Sequence, residues 1–387
     1  NPKFEFAVPE HQVTLGLAHV VPLASPDVLH AELPENPLCL ITDDGSSLAP
    51  VLAKALSEQG WSPVILRFSG ISELVKKKRK PFAKEIPLIE LSSSAESELE
   101  TSLKSLTEKR GNIGGFIHLH PASSAPAESK LEDGANAFLK QAFLTAKNVC
   151  TFLNEAGKSD SSRSHFLAVT RLDGELGMGS GQFGAVGSGL SGLIKTAGVE
   201  WTDVFCRFVD LQPELTADTA ASCILQELLD PDLRIKEVGY SGSGKSSTRR
   251  MTVQPKIIRD LTTKISSKSL TKKSVFLVSG GARGVTAECV VKLAQTQPCS
   301  FILLGRSTIE DEPEWAEGVG EDKTKLKQAA MKLLVDSGEK PTPLKVNQLV
   351  GKVEAGRDIR KNLERIRNAG GKAEYVSADV TDAKKLK

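Results

Sequence analysis

Aromatic rings are scarce in this chain: Phe, Trp and Tyr make up 5% of its 387 residues, with only two tyrosines and three tryptophans. Platforms that stack nucleic-acid bases need such rings, so that role is disfavoured. Neither sign of charge dominates. Lys and Arg number 50 against 48 for Asp and Glu, a formal charge of +2, which gives no reason to expect nucleic acid or an anionic membrane as the main partner. Six cysteines stand at 39, 150, 206, 223, 289 and 299, never as C-x-x-C. That excludes zinc-ligand spacing and a disulfide framework, and the thiols are expected to be buried in a reducing compartment, the cytoplasm. No run approaches the roughly 18 uninterrupted apolar residues of a membrane helix, and the N-terminus lacks a charged-then-apolar signal. The sequence opens on Asn and closes inside what reads as an element. It is expected to be a piece of a longer protein.

What is present suits a globular chain of two or three domains: 40% apolar and 25% charged residues over this length. One stretch, GYSGSGKS at Gly239 to Ser246, fits the phosphate-binding pattern G-x-x-x-x-G-K-[ST] at every fixed position. That cradle works only where the loop leaves a strand and opens a helix. Here Arg249, Met251 and Val253 alternate with Arg250, Thr252 and Gln254, and Arg234, Lys236 and Val238 alternate before the loop. Two such rhythms around a Gly/Ser-rich loop predict a hairpin, and no apolar run ending in a magnesium-binding Asp lies downstream. The match reads as accidental, with nucleotide binding through Gly239–Ser246 kept as the remote alternative.

The most informative comparison is internal. Residues 38–70, LCLITDDGSSLAPVLAKALSEQGWSPVILRFSG, align without a gap on residues 275–307, VFLVSGGARGVTAECVVKLAQTQPCSFILLGRS. Leu40 falls on Leu277, Ile41 on Val278, Leu56 on Leu293, Ile65 on Ile302 and Leu66 on Leu303. Each copy reads as strand, small-residue turn, amphipathic helix and strand, the βαβ unit of a parallel sheet. The turns differ. The second has Ser279-Gly280-Gly281-Ala282-Arg283-Gly284, glycines that let a pyrophosphate approach the helix start. The first has Thr42-Asp43-Asp44-Gly45-Ser46-Ser47, whose two carboxylates would repel a diphosphate by several kcal/mol, an order-of-magnitude Coulomb argument. One copy can hold a dinucleotide and the other has kept only the fold.

The strand after the second turn ends in Gly305-Arg306-Ser307. An acidic residue there would take a ribose 2′-OH, whereas Arg suits the 2′-phosphate of NADP, so Arg306 points to NADPH. Residues 371–380 read as a third strand. Its Asp379 can face the adenine or cap a helix before T-D-A-K-K, and the two roles are compatible.

Three stretches, V-S-G-G-A-R-G-V-T-A, L-L-G-R-S and S-A-D-V-T, resemble the ketoreductase domain of polyketide and fatty-acid synthases, a short-chain dehydrogenase/reductase. The wording GGARGVTAECVVKLA with a long insert after GRS is most similar to ketoreductases of polyunsaturated fatty acid synthases. The resemblance covers roughly residues 35 to 387. It implies an α/β fold of two Rossmann-like subdomains with parallel sheets: a degenerate structural copy, then a catalytic copy present here only in its first half. Boundaries are expected at a lead-in over 1–34, the degenerate copy over 35–265, a polar linker over 266–273 and the cofactor-binding part over 274–387, with an insertion at about 308–357. Gly280, Gly281, Arg283, Gly284 and Val285 are expected at the pyrophosphate, Arg306 at the 2′-phosphate and Asp379 at the adenine side, with Ser279, Ser307 and Val380 also among the cofactor-binding residues. The implied activity is NADPH-dependent reduction of a 3-ketoacyl group on an acyl carrier protein, beside neighbouring synthase domains. A structural scaffold is the alternative.

There are departures. The family turn is T-G-x-x-x-G-x-G; here Ser279 stands for Thr and Thr286 for the last Gly. The family's Tyr, with Lys four residues on, is missing: Tyr240 and Tyr375 are followed at that distance by Gly244 and Asp379. The catalytic residues are expected beyond Lys387, leaving the chain inactive alone. Ser191 to Lys195 sits where the Tyr-x-x-x-Lys of the degenerate copy would be, and an aliphatic hydroxyl is a poor acid. His118 and His120 lie two apart on one strand face with no third metal ligand in view. Lys76–Lys80 reads as a solvated loop before Pro81, with an anion-binding patch as the alternative. Within the insertion, helices are expected around Lys323–Leu334 and Asp358–Asn368.

Overall fold

A computed structural model describes residues 15–27, 37–71, 79–121, 133–158, 163–179, 185–242, 248–258, 270–384 and 386. The chain divides into two compact units, Asn1–Arg259 and Asp260–Lys387. The first contains β1 (Leu15–Leu23), β2 (Leu38–Thr42), α1 (Leu48–Glu58), β3 (Ser62–Arg67), β4 (Leu88–Glu90), α2 (Glu96–Arg110) and β5 (Ile113–Leu119). It continues through α3 (Asp133–Ala156), β6 (Ser164–Thr170), α4 (Gly189–Glu200), β7 (Val204–Leu211), α5 (Ala217–Leu228), β8 (Glu237–Ser241) and β9 (Arg249–Ile258). Its nine strands lie in the order β1-β9-β8-β7-β6-β5-β2-β3-β4. The run from β8 to β4 is parallel, and β9 and β1 close the other edge antiparallel.

Strands β2, β5, β6 and β7 are buried along their whole length, as expected of parallel strands covered on both faces. One layer gathers Leu40, Phe116, Phe166 and Phe208 against Leu103, Val149 and Ile194; the other gathers Ile41, Ile65 and Val209 against Leu52, Leu56 and Ile224. Helix α1 shows why the sequence folds this way: Leu48, Leu52 and Leu56 recur every fourth residue and are all buried. The chain order reverses at β2, which has β3 on one side and β5 on the other. Ligand crevices of open α/β sheets form at such a switch point.

The second unit contains β10 (Val275–Ser279), α6 (Gly284–Thr296), β11 (Ser300–Gly305), α7 (Lys323–Asp336), α8 (Pro343–Asn368) and β12 (Lys372–Ser377). Its sheet is parallel, in the order β10-β11-β12. Among the described residues, strand β10 is bonded on one side only, and its burial alternates where that of β2 is complete. Val275 and Leu277 are 62% and 68% exposed.

The strands correct the gapless alignment of the two copies. Thr42 pairs with Leu66, but Ser279 pairs with Leu304, so the second strand of the later copy is shifted by one. Leu66 therefore corresponds to Leu304, and Arg67 to Gly305. Helix α1 ends at Glu58 and turns through Gly60, at φ 89°, whereas α6 runs on to Thr296 before Pro298. The extra residue sits in that connection. Fully apolar strands carry no alternation that would expose the slip.

The helix expected at Asp358–Asn368 begins instead at Pro343, where the Thr342 hydroxyl caps Lys345 N–H and Pro occupies the first turn. The two halves of α8 serve different cores. Val346, Val350 and Val353 pack with Ala316, Leu326, Ala330 and Leu334, while Ile359, Leu363 and Ile366 pack with Val290, Phe301 and Leu303 beside the sheet. The insertion is thus carried on a prolongation of the crossover helix.

Candidate cofactor site

In the second unit the chain leaves β10 at Ser279, turns through Gly280 to Arg283, and enters α6. Gly280 and Gly284 have φ of 66° and 60°, left-handed values that side chains strain to adopt. Gly281 is needed for a different reason. A Cβ there would lie 2.7 Å from Val278 Cγ1 and 3.0 Å from Leu303 Cδ2, so the turn lies flush on the first two strands. Gly305 is constrained likewise, since its Cβ would meet the Tyr375 hydroxyl at 2.7 Å; that hydroxyl donates to the Ser307 carbonyl at 2.6 Å.

The start of α6 lacks a side-chain cap. Thr216, Asp322 and Thr342 cap α5, α7 and α8, whereas Arg283 gives α6 no such bond, as is also the case for the N-cap residues of α1, α2 and α4. Arg283 Nε donates instead to Asp358 Oδ2 at 3.3 Å. An uncapped helix start presents N–H groups and a positive dipole end, the elements of an anion site. Ser279, Arg283 and Val285 are exposed around it. Arg306, at the end of β11, is exposed, and its guanidinium has no partner among the described residues. Asp379 caps a turn: its carboxylate accepts from the Thr381 N–H at 2.9 Å and hydroxyl at 2.8 Å. No helix follows it among the described residues. Val380 beside it is half exposed.

The matching turn of the first unit is built to opposite effect. Asp43, its side chain fully buried, accepts from Gly45 N–H at 3.0 Å, Arg67 Nε at 2.9 Å and Arg79 Nη1 at 3.0 Å. Asp44 accepts from the Ser46 N–H at 3.1 Å and hydroxyl at 2.5 Å, and that hydroxyl oxygen accepts from Leu48 N–H at 3.0 Å. Burial pushes the Asp44 carboxyl up from its ordinary value. The N–H groups that a phosphate would take are bonded within the turn, and two guanidinium groups close on the carboxylate. Arg79 belongs to the basic run read as a solvated loop; it is mostly buried, and Lys76, Lys77 and Lys78 lie outside the described residues. Composition alone could not separate it from its neighbours, because the signal is its distant partner Asp43.

The other candidates have structural partners. Gly239 and Tyr240 lie in β8 and pair with Met251 and Arg250 of antiparallel β9. A Cβ on Gly239 would strike the Gly174 carbonyl at 2.4 Å, so that glycine serves strand packing. Residues 243–247, with Lys245, lie outside the described residues. His118 and His120 are buried; Nδ1 of His118 is 3.1 Å from the Thr42 hydroxyl and its Nε2 is 3.4 Å from His120 Nδ1. Burial holds His118 well below its usual range and His120 at about 4, so both are neutral. No group of three metal-ligating residues occurs among the described residues. On α4, Ser191 and Lys195 both converge on Glu237 Oε2, at 3.2 and 2.6 Å.

Sequence reasoning passed over Asp210, at the end of β7. Its carboxylate accepts from Leu172, Gly174 and Leu176 N–H groups at 2.8, 2.8 and 3.0 Å and from the Thr170 hydroxyl at 3.1 Å. It pins the loop after β6, where Leu176 has φ 62°. Burial pushes its carboxyl up to about 7. The signal available was an acid ending an apolar strand, F-V-D.

This architecture, parallel sheets with a carboxylate-filled turn at the β2 switch point and a glycine-rich turn after β10, is a fold shared with solved ketoreductases. An N-terminal ketoreductase from the macrolactin assembly line superposes over 96% of this chain and 60% of that one, with TM-score 0.58 and 14% identity. The adenylation, ketoreductase and pseudo-Asub structure of a keto acid-selecting NRPS module superposes over 97% of this chain and 27% of that one, with TM-score 0.61 and 14% identity. In sequence, the chain is similar to one of the polypeptides of a polyunsaturated fatty acid synthase from Thraustochytrium sp., 33% identical over 386 residues, which is 96% of this chain. It spans 13% of that protein's length. No protein-family model matches the chain. The resemblance read from V-S-G-G-A-R-G-V-T-A, L-L-G-R-S and S-A-D-V-T is borne out by these relatives, and the α/β reading by the sheets.

Proposed function

We propose that this chain is the cofactor-binding part of an NADPH-dependent ketoreductase, acting on a 3-ketoacyl group carried by an acyl carrier protein among the domains of a larger synthase. The observation that carries the reading is the contrast between the two turns. One is closed by its own carboxylates and guanidinium groups; the other has a flush glycine floor, a helix start without a side-chain cap and a guanidinium, Arg306, unpaired among the described residues. These features fit a dinucleotide diphosphate. Ser279, Gly280, Gly281, Arg283, Gly284 and Val285 would hold the pyrophosphate, through N–H groups and the helix dipole. Arg306, with Ser307, would bind the 2′-phosphate, where a guanidinium can donate two parallel bonds. Asp379 and Val380 would border the adenine.

When bound, the cofactor supplies the hydride that turns the ketone into an alcohol. The chain's residues orient its diphosphate and select its phosphorylated ribose. The proton donor is not among them: Tyr240 is buried, its hydroxyl donates to Glu227, and burial raises its pKa well above the usual phenol range. A segment outside this chain would supply it. The first unit serves as a scaffold. In calorimetric titration, NADPH is expected to bind saturably, and Arg306→Ala to weaken NADPH about 100-fold with little effect on NADH, the loss of a bidentate charged contact. Equal binding of both dinucleotides to wild type and variant would refute the assignment of Arg306.

A further inference from the structure

The insertion borders an open cavity of about 1000 Å³ against the glycine-rich turn. Arg283 of the turn and Arg306 of the β11 end form part of its lining, and Trp315, Lys345, Lys352 and Arg360, from the insertion and α8, form another part. The five cations are not equivalent. Arg283 holds Asp358 at 3.3 Å, Lys345 holds Glu339 at 2.5 Å, and Arg360 donates to the Glu310 carbonyl at 2.7 Å. Four carboxylates share the lining: Glu339 is held by Lys345, Glu312 by Arg357, whose Nε donates to it at 3.1 Å, Glu310 accepts from the Thr308 hydroxyl at 3.1 Å, and Asp311 stands beside them. The side chains of Arg306 and Lys352 have no hydrogen bond or ion pair among the described residues. Beside Lys352 stands Gly351, where an added Cβ would meet nothing within 4 Å, so α8 fills none of the cavity at that position.

Two unpaired cations sharing one cavity repel each other and gain most from a shared dianion. A phosphomonoester carries close to two charges at neutral pH. We infer that Lys352 is a second cation for the 2′-phosphate of the cofactor, facing it together with Arg306, so that the insertion sets the preference for the phosphorylated dinucleotide. This rests on the reading of the glycine-rich turn as a dinucleotide site.

The test is titration of the 387-residue chain and its Lys352→Ala and Lys352→Arg variants with NADPH, NADH, adenosine 2′,5′-bisphosphate and inorganic phosphate. Lys352 is exposed, and alanine favours helix, so α8 is retained; circular dichroism checks this. Lys352→Ala is expected to weaken NADPH and the bisphosphate about 10-fold, the effect of one charge-assisted bond, to leave NADH unchanged, and to be rescued by Lys352→Arg. Inorganic phosphate is expected to compete poorly. Unchanged NADPH affinity in Lys352→Ala, an equal loss for NADPH and NADH, or competition by inorganic phosphate as strong as by the bisphosphate would overturn the inference alone. Absence of saturable binding by either dinucleotide would overturn the cofactor reading and this inference together.

Discussion

The turn from Asp43 to Leu48 and the turn from Gly280 to Val285 occupy the same place after the first strand of a βαβ unit, and they solve the same electrostatic problem differently. A helix start offers unpaired N–H groups and partial positive charge. In the first unit the protein supplies its own anion, Asp43, and adds Arg67 and Arg79 around it. In the second unit the backbone is bare, and Arg306 stands unpaired nearby among the described residues. The difference shows that a helix start after a parallel strand can be satisfied by a buried, balanced carboxylate without loosening the fold.

The comparison makes its largest claim about stability. Asp43→Ala would leave mostly buried Arg79 without its counter-charge and Arg67 with only the half-exposed Glu90, 3.3 Å away, a change that costs about 3–5 kcal/mol. Urea unfolding of a Trp315→Phe background, followed through Trp61 and Trp201 of the first unit, should show that loss. A change below about 1 kcal/mol, the range of exposed ion pairs, would mean the turn is held by its internal bonds alone. The turn of the second unit has no matching buried charge among the described residues, so the loss should be confined to the first.

A smaller difference is expected on acidification. All six histidines lie at or before His165, and three of them, His118, His120 and His165, are buried. Burial lowers His120 to about 4 and His165 to about 3. Because these pKa values are depressed on folding, the unfolded chain binds more protons below about pH 6.5, and stability falls as pH drops from there towards 4. At pH 5 the cost for His120 is about 2 kcal/mol. Asp210, raised to about 7, acts in the opposite sense over the same window. The His120→Gln variant should therefore lose about 2 kcal/mol less than wild type between pH 7.5 and pH 5 in urea titrations. An identical loss in the two proteins would show that His120 is not the titrating group.

Much of this contrast was legible in the sequence, for identifiable reasons. Apolar runs flanking small-residue turns marked both βαβ units, and two aspartates against two glycines marked which turn could take an anion. The strand rhythm after Ser246 separated a hairpin from a phosphate cradle. What stayed hidden depended on tertiary partners or on missing periodicity. Arg79 in a basic run is indistinguishable from its neighbours until Asp43 is placed beside it. The one-residue shift between Leu66 and Leu304 left no trace, because apolar residues face apolar residues in either register. The start of α8 was obscured by Gly351 and Gly356, although Val346, Val350 and Val353 keep the helical spacing. Lys352 could be singled out only after the structure showed which other cations were already engaged.

On the proposed function, the turn at Gly280–Val285 binds a dinucleotide and the turn at Asp43–Leu48 has replaced one with its own carboxylates. The direct test is the stoichiometry of NADPH binding by calorimetry, in wild type and in Gly280→Asp, which writes the aspartate of the first turn into the second. One site per chain is expected in wild type and none in the variant, with the secondary structure unchanged. Two sites per chain, or undiminished binding in Gly280→Asp, would contradict it.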